Sequence, residues 1–255
     1  MTEVEDRIDA FERALVERLS TRTRPTPFGI AYFHDGFARR YDSNFVWVDA
    51  PLADVDAETL AAAVDQVQAG LRHRHMYVVD QEEGSRLLPG LAGLGYRGER
   101  LVAMVQARQP DIRNDDLAEE AGAGELGSFS LRVNREADGG ANAADAEMLA
   151  DFRNVLAERA GARFFVARSE GEIAAIAELY VLEGVAQVEA VYTLEVYRGR
   201  GFGRAVALAA SRAARDQGAD LVFLNADDED WPKALYGKLG FDELRRFWSF
   251  VKSPN

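Results

Sequence analysis

The apolar positions of this chain change spacing repeatedly, and each change marks an expected element. Residues 4–19 carry Ile8, Phe11, Leu15 and Leu19 at helical intervals, and Pro25 and Pro27 follow as a stop. Residues 29–34 and 44–48 read as strands and residues 60–71 as a helix. Met76-Tyr77-Val78-Val79 is wholly apolar and is expected as a buried strand. An acidic loop, a helix reaching Leu94 and a strand to about Val105 come after it. In the second half a loop is expected at 138–142, a helix at 144–159 and strands at 163–168 and 173–182. An alternating stretch from Val188 to Val196 then enters a glycine-dense turn and an Ala-rich helical run at 205–214. Leu221-Val222-Phe223-Leu224 is a second buried strand, followed by a short helix and a last strand. This mixture predicts an α/β (α+β) protein.

Two of these passages match. Met76 to Asp80 parallels Leu221 to Asn225, and Leu94-Gly95-Tyr96 parallels Leu239-Gly240-Phe241, both at an offset of 145. An acidic loop and a short helix separate the two parts in each copy. The pattern predicts two related halves, 1–108 and 128–255. The linker at 109–127 is polar, with Asp115-Asp116, Glu119-Glu120 and Gly122-Ala123-Gly124.

The glycine-dense turn, Arg198-Gly199-Arg200-Gly201-Phe202-Gly203, carries the first chemistry. Strand, glycine turn and helix together suit a phosphorylated ligand, because glycine adopts positive φ and lets the backbone come close. The first turn of the next helix offers unpaired N–H groups and the positive end of its dipole. Arg198, Arg200 and Arg204 add positive charge. A Walker loop would end in Gly-Lys-Ser/Thr, but the chain reads Gly203-Arg204-Ala205. A dinucleotide fingerprint would need a third glycine or alanine at Arg204, or at Val206 in the shifted reading.

Arg198-x-x-Gly201-x-Gly203, after the strand text Val191 to Tyr197, resembles the acyl-CoA motif of the GCN5-related N-acetyltransferases (GNAT). Trp231-Pro232-Lys233-Ala234-Leu235-Tyr236-Gly237-Lys238-Leu239-Gly240-Phe241 is similar to the Ala-x-x-Leu-Tyr-x-x-x-Gly-Phe ending of that family, with a shorter spacing between Ala and Leu. The order and separation of the two motifs, about 33 residues, also match. The resemblance covers roughly residues 126–252. It implies a GNAT fold, a mixed, mostly antiparallel sheet flanked by helices, here as two tandem GNAT-like halves. It also implies transfer of acetyl from acetyl-CoA, as cosubstrate, directly to a primary amine.

The resemblance assigns roles to particular residues. Gly199, Arg200, Gly201, Phe202, Gly203 and Arg204, with Arg198, would cradle the pyrophosphate as an anion nest. The backbone of Val191, Tyr192 and Thr193 would hydrogen-bond the pantetheine and the thioester carbonyl. Tyr236 would stand near the thioester sulfur. A phenol of ordinary pKa about 10 can protonate a thiolate whose conjugate acid lies near about 8.5, so Tyr236 is the expected general acid. Glu189 is the expected base, since period-two alternation puts it on one face with Val191 and Thr193; Glu195 shares that parity but lies beside the turn. Many relatives carry Asn seven residues before the Tyr, where this chain has Glu229. Asn225 is the candidate replacement, and Asp230 before Pro232 reads as a helix N-cap.

The first half lacks these features. Leu91 stands at the position of Tyr236, and 71–75 has no glycine turn. Only the second half is expected to bind CoA, with the first degenerate. A non-catalytic acyl-CoA-binding regulatory module and transfer of a longer acyl group remain open alternatives.

Composition narrows the partners. The chain has 255 residues and no cysteine, which excludes disulfides, thiolate zinc sites and an acyl-cysteine intermediate. His34, His73 and His75 have no metal-ligand spacing, so no metal is expected. A net charge of −13 repels nucleic acid and steers cations, consistent with a small-molecule or peptide amine as acceptor. Lysines number only Lys233, Lys238 and Lys252, a bias shared by salt-adapted chains and by high-GC coding. With no apolar run near 18 residues and no basic-then-apolar leader, no membrane partner and a cytoplasmic location are expected. Acceptor identity and oligomeric state are left open by these patterns.

Overall fold

The computed structural model describes residues 2–111, 117–137, 143–229 and 232–253. The first stretch forms α1 (Glu3–Leu19), β1 (Arg22–Thr26), β2 (Gly29–Phe33), β3 (Phe45–Val48), α2 (Ala57–Val67), β4 (Arg74–Val78), α3 (Gln81–Gly93) and β5 (Arg97–Gln106). Then come β6 (Ala118–Ala121), α4 (Gly127–Ala137), α5 (Ala143–Ala160), β7 (Arg163–Ser169), β8 (Glu172–Leu182) and β9 (Val185–Thr193). The chain closes with α6 (Phe202–Asp216), β10 (Leu221–Asp227), α7 (Pro232–Lys238) and β11 (Phe241–Lys252).

Sequence patterning does not anticipate β1, β6 or α4. Pro25 sits inside β1, which is tolerated because β1 has one strand neighbour and needs no second set of N–H donors. β6 lies within the expected linker and pairs antiparallel with β7. Its two glutamates reach diagonally to β7, Glu120 to Arg163 at 2.7 Å and Glu119 to Arg168 at 2.6 Å. Cross-strand ion pairs thus turn a polar stretch into an edge strand. Strand β9 ends at Thr193, short of the expected Val196, where Glu195–Tyr197 forms a turn of 3-10 helix.

Contacts divide the described residues into two units whose segments alternate along the chain. One holds Met1–Arg18, Met104–Asn225 and Trp231–Glu243; the other holds Leu19–Ala103, Ala226–Asp230 and Leu244–Asn255. Helix α1 therefore groups with the second half of the sequence, and the end of β11 with the first.

In the unit containing Leu19–Ala103, β1, β2 and β3 form an antiparallel run, and β3 pairs parallel with β4 through Val46↔Met76, Trp47↔Tyr77 and Val48↔Val78. The end of β11 pairs antiparallel with β4. Helices α2 and α3 cover one face, where Leu60, Val64, Leu87 and Leu91 pack on Phe33, Val46, Met76, Val78, Trp248 and Phe250. Asp56 and Asp80 cap these helices by accepting from the N–H groups of Thr59 and of Glu82 and Glu83.

In the other unit β6, β7, β8 and β9 run antiparallel, and β9 pairs parallel with β10. Helix α6 buries Ala205, Val206, Ala207, Ala210 and Ala214, a small-residue face that lies close against the sheet. Helix α1 buries Ile8, Phe11 and Leu15; Phe11 meets Phe223 edge-on at 5.3 Å, and Arg7 pairs with Asp220. Among the described residues no helix is long and apolar enough to cross a membrane.

Candidate active site

Two tight turns set the register of the site. Glu170-Gly171 joins β7 to β8 and Glu183-Gly184 joins β8 to β9, each with both residues at positive φ (53° and 86°, 49° and 81°). Such two-residue turns match the twist of a hairpin and fix which residues face each other. From Leu182↔Val185 the ladder runs back to Glu178↔Glu189 without interruption.

Beyond Glu189 the ladder slips. The next pairs are Ile176↔Tyr192 and Ala175↔Thr193, so β9 holds one residue more than β8 between them. Ala190 supplies this bulge at φ 50°, a left-handed conformation that costs a residue with Cβ about 1 kcal/mol or more. The expected alternation, which would put Glu189 on one face with Val191 and Thr193, therefore fails. An extra residue reverses parity, and the register puts Glu189 on the face of Tyr192. That face meets α4, since the Tyr192 hydroxyl donates to Glu136 Oε2 at 3.0 Å. Burial first, and then the Glu136 hydrogen bond, push the Tyr192 phenol above its ordinary value. Thr193 lies on the opposite face, beside Gly203 of α6.

The parallel pairing of β9 with β10 is short. It comprises Val185↔Leu221, Ala186↔Val222 and Gln187↔Phe223, although β9 continues to Thr193 and β10 to Asp227. Residues 190–193 of β9 thus lie along an edge that β10 does not fill. Unpaired N–H and C=O groups at such an edge call for a partner, and an extended ligand can supply one.

The glycine turn follows directly. Gly199 and Gly201 have φ of 77° and 86°, as the expected anion nest requires. Gly201 is the N-cap of α6 and offers no side-chain acceptor. The first helical bond runs from the Ala205 N–H to the Gly201 C=O at 3.0 Å, so the N–H groups of Phe202, Gly203 and Arg204 are the orphan donors of the helix start. A Cβ on Gly203 would come 2.9 Å from Thr193 Oγ1, whereas a Cβ on Gly199 would meet nothing within 4 Å. Arg204 Nε is buried without a hydrogen-bond partner. Arg198 turns back, donating to the Thr193 carbonyl at 3.3 Å with its guanidinium 5.9 Å over the Tyr192 ring. Arg200 lies 5.6 Å over Tyr197. These features suit the pyrophosphate and extended arm of a CoA thioester.

Tyr236 is 7% exposed on α7, its ring edge-on to Phe241 at 6.2 Å. Burial, and secondly the charge of Glu189, push its phenol above the usual value. The two residues expected to move protons are thus electrostatic neighbours. Glu189 Oε2 also accepts from Gln187 Nε2 at 2.6 Å. Asn225 is turned to α1: its amide nitrogen donates to Glu12 at 2.8 Å, and its carbonyl oxygen is buried without a partner. Asp230, expected as the cap of α7, lies outside the described residues, as does the 138–142 loop. Among the described residues no group of three or more His, Asp or Glu is arranged to hold a metal ion. Sequence patterns gave no sign that Glu178 would oppose Glu189 or that Glu136 would meet Tyr192. Counting back from Glu183-Gly184 as a two-residue turn would have found Glu178.

Residues 135–241 match the model of the Acetyltransferase (GNAT) family. No curated protein matches the chain in sequence. A functionally unknown conserved protein from Staphylococcus epidermidis is similar in structure, with TM-score 0.69, 14% identity and coverage of 92% of this chain and 95% of that one. A GCN5-related N-acetyltransferase from Kribbella flavida gives TM-score 0.62 at 16% identity, covering 98% of this chain and 95% of its own. A tandem GNAT protein from the clavulanic acid biosynthesis pathway gives 0.54 at 15% identity, covering 89% and 79%. At these identities the neighbours establish the fold alone, and the fold is GNAT.

Proposed function

We propose that this chain, whose residues 135–241 form a GNAT-family acetyltransferase domain, transfers acetyl from acetyl-CoA directly to a primary amine. The carrying observation is the divergence of β9 from β10 after Gln187↔Phe223, just ahead of the uncapped start of α6. Acetyl-CoA supplies an activated acyl thioester. On this reading the N–H groups of 199–204 hold its pyrophosphate, helped by Arg198, Arg200 and Arg204. The open edge of Val191, Tyr192 and Thr193 holds its pantetheine. Asn225 contributes its carbonyl oxygen, since its amide nitrogen is engaged with Glu12.

Glu189 takes the proton that the acceptor nitrogen must lose to attack, and Tyr236 returns one to the departing sulfur. The C–N bond forms as the C–S bond breaks. A phenol held above its ordinary value keeps its proton at neutral pH, which suits a donor. Positioning of both reactants supplies much of the remaining rate.

Residues 1–108 and 128–255 are, on this reading, related copies joined by 109–127. Each unit passes from an antiparallel run into a parallel ladder of three pairs, β3–β4 and β9–β10. In each stretch of sequence a helix, a glycine at φ 88° (Gly95 and Gly240) and a strand come next. The first copy is degenerate because Leu91 is wholly buried in its core and no glycine turn precedes β4.

The test is thiol release from acetyl-CoA across a panel of amine classes. Release that depends on amine and drops in Tyr236→Phe supports the reading. Tight acetyl-CoA binding with no turnover on any amine would make the chain a binding module, and turnover only with longer acyl-CoAs would change the donor.

A further inference from the structure

The end of β9 pairs with β8 through Ile176↔Tyr192 and Ala175↔Thr193 and lies beyond its pairs with β10. A strand end held along one edge keeps freedom to swing unless another element holds it. Helix α4 supplies that hold. Phe129, Arg132 and Glu136 stand at i, i+3 and i+7, so they share one face of the helix. All three meet the segment 192–197. The Phe129 ring is edge-on to Tyr192 at 6.5 Å. Glu136 Oε2 accepts from the Tyr192 hydroxyl at 3.0 Å and from the Glu195 N–H at 3.2 Å. The second bond caps the 3-10 turn Glu195–Tyr197, whose N-cap residue, Leu194, has no side-chain acceptor. The Arg132 guanidinium lies 5.8 Å over the Tyr197 ring, and Arg200 of the glycine turn lies 5.6 Å over the same ring. Helix α4 is itself tied to β8 at two places. Arg132 Nη1 donates to Glu172 Oε2 at 2.6 Å, and Ser130 accepts from Arg153, which pairs with Glu178 at 3.3 Å.

We infer that α4 presets the acyl-CoA edge of β9, and that Glu136 is the positioning residue through which it does so. The inference rests on the reading of residues 191–193 and 198–204 as the cofactor site, and Glu136 acts on that site through Tyr192 and Glu195. One carboxylate oxygen joins a side chain of the strand to the backbone of the turn. Between those two attachment points Leu194 is wholly buried, and its N–H donates to the Ala174 carbonyl at 3.0 Å. Strand end and turn are thereby held as one body, with the glycine turn starting directly after it. Hydrogen bonds to a carboxylate are stronger than neutral ones, so one residue on one helix suffices for this hold. A site already in its binding geometry avoids the cost of ordering those residues when the ligand arrives.

Glu136→Ala removes both bonds, whereas Glu136→Gln keeps an amide oxygen that can accept them. The experiment uses the full chain and reads acetyl-CoA affinity by calorimetric titration, with amide hydrogen exchange of residues 190–198 in the ligand-free protein beside it. In Glu136→Ala the dissociation constant should rise about tenfold, and those amides should exchange about tenfold faster. Glu136→Gln should bind within about threefold of wild type. A merely structural residue would lower the melting temperature and leave the affinity of the folded chain unchanged, and that result overturns the inference. So does a Glu136→Gln as weak as Glu136→Ala, because the acceptor atom and not its position would then be irrelevant. Should Glu136→Ala fail to fold, Tyr192→Phe decides: it keeps the ring, deletes one of the two bonds and should weaken binding about threefold, and unchanged affinity refutes the hold. A wild-type chain that binds no acetyl-CoA refutes the functional reading together with this inference. Wild-type binding with an indifferent Glu136→Ala refutes the inference alone.

Discussion

Gly203→Ala separates binding from stability at the start of α6. The added Cβ would lie 2.9 Å from Thr193 Oγ1, closer than carbon and oxygen tolerate. Either Thr193 leaves its rotamer or the first turn of α6 lifts from the end of β9. An off-rotamer side chain costs on the order of 1 kcal/mol. A displaced helix start moves the orphan N–H groups of 202–204 from the open edge of 190–193. A loss of about 1 kcal/mol at the ligand corresponds to a five- to tenfold weaker acetyl-CoA affinity. Gly203 itself is helical, where alanine is favoured over glycine by about 1 kcal/mol, so the melting temperature should hold or rise. Calorimetric titration with acetyl-CoA beside a thermal melt reads both signs. Thr193→Ala in the same chain removes the offending oxygen, and the double variant should bind within about twofold of Thr193→Ala alone. Unchanged affinity in Gly203→Ala, or a double variant as weak as the single, refutes the reasoning that this contact sets the ligand geometry.

The same reasoning reaches other positions. Tyr236→Phe should lower kcat by about a hundredfold or more while acetyl-CoA affinity stays within about twofold, measured by thiol release and calorimetry. The wild-type rate should show no decline from phenol ionisation until above about pH 10, because burial and Glu189 both hold the proton on. Gly240→Ala should destabilise the fold by about 3 kcal/mol or more in chemical denaturation, since φ is 88° and the new Cβ would fall 2.1 Å from the Arg108 carbonyl oxygen. Gly199→Ala, with open space around it, should cost only the left-handed strain of about 1 kcal/mol. His73, stacked on Tyr41 at 4.0 Å, has its pKa lowered to about 4 by burial. A depressed histidine contributes stability above its unfolded value near about 6.5, and loses it as pH falls towards 4. About 3 kcal/mol should disappear across that window in urea denaturation, and His73→Phe should flatten the slope by a similar amount.

The glycine turn, the helix after it and the short helix carrying Tyr236 were legible in the sequence because each is local. Glycine spacing dictates where φ turns positive, and Gly199 and Gly201 do so. An apolar run bounded by turn residues becomes a buried strand wherever it packs, as β4 and β10 show. The two matching passages at an offset of 145 were also visible as text, and the related copies they suggest belong to the proposal.

What the sequence could not decide is what depends on pairing between distant segments. The position of Glu189 turned on the bulge at Ala190, an alanine in a conformation that its own chemistry disfavours and that only the ladder with β8 sustains. Glu178 came to face Glu189 through register, and Arg153 reached Glu178 through the packing of α5. Residues 118–121 became β6 as Glu119 and Glu120 reached diagonally to Arg168 and Arg163 of β7. Asn225 keeps only its carbonyl oxygen for a ligand, because α1, more than two hundred residues earlier in sequence, brings Glu12 to its amide nitrogen. Boundaries drawn along the chain, at 108 and 128, became units that interleave, since strands complete a sheet by hydrogen bonding in space and not by order of synthesis. Local periodicity determines which elements form and which faces are apolar; backbone pairing determines which side chains meet, and the proposed proton chemistry lives in those meetings.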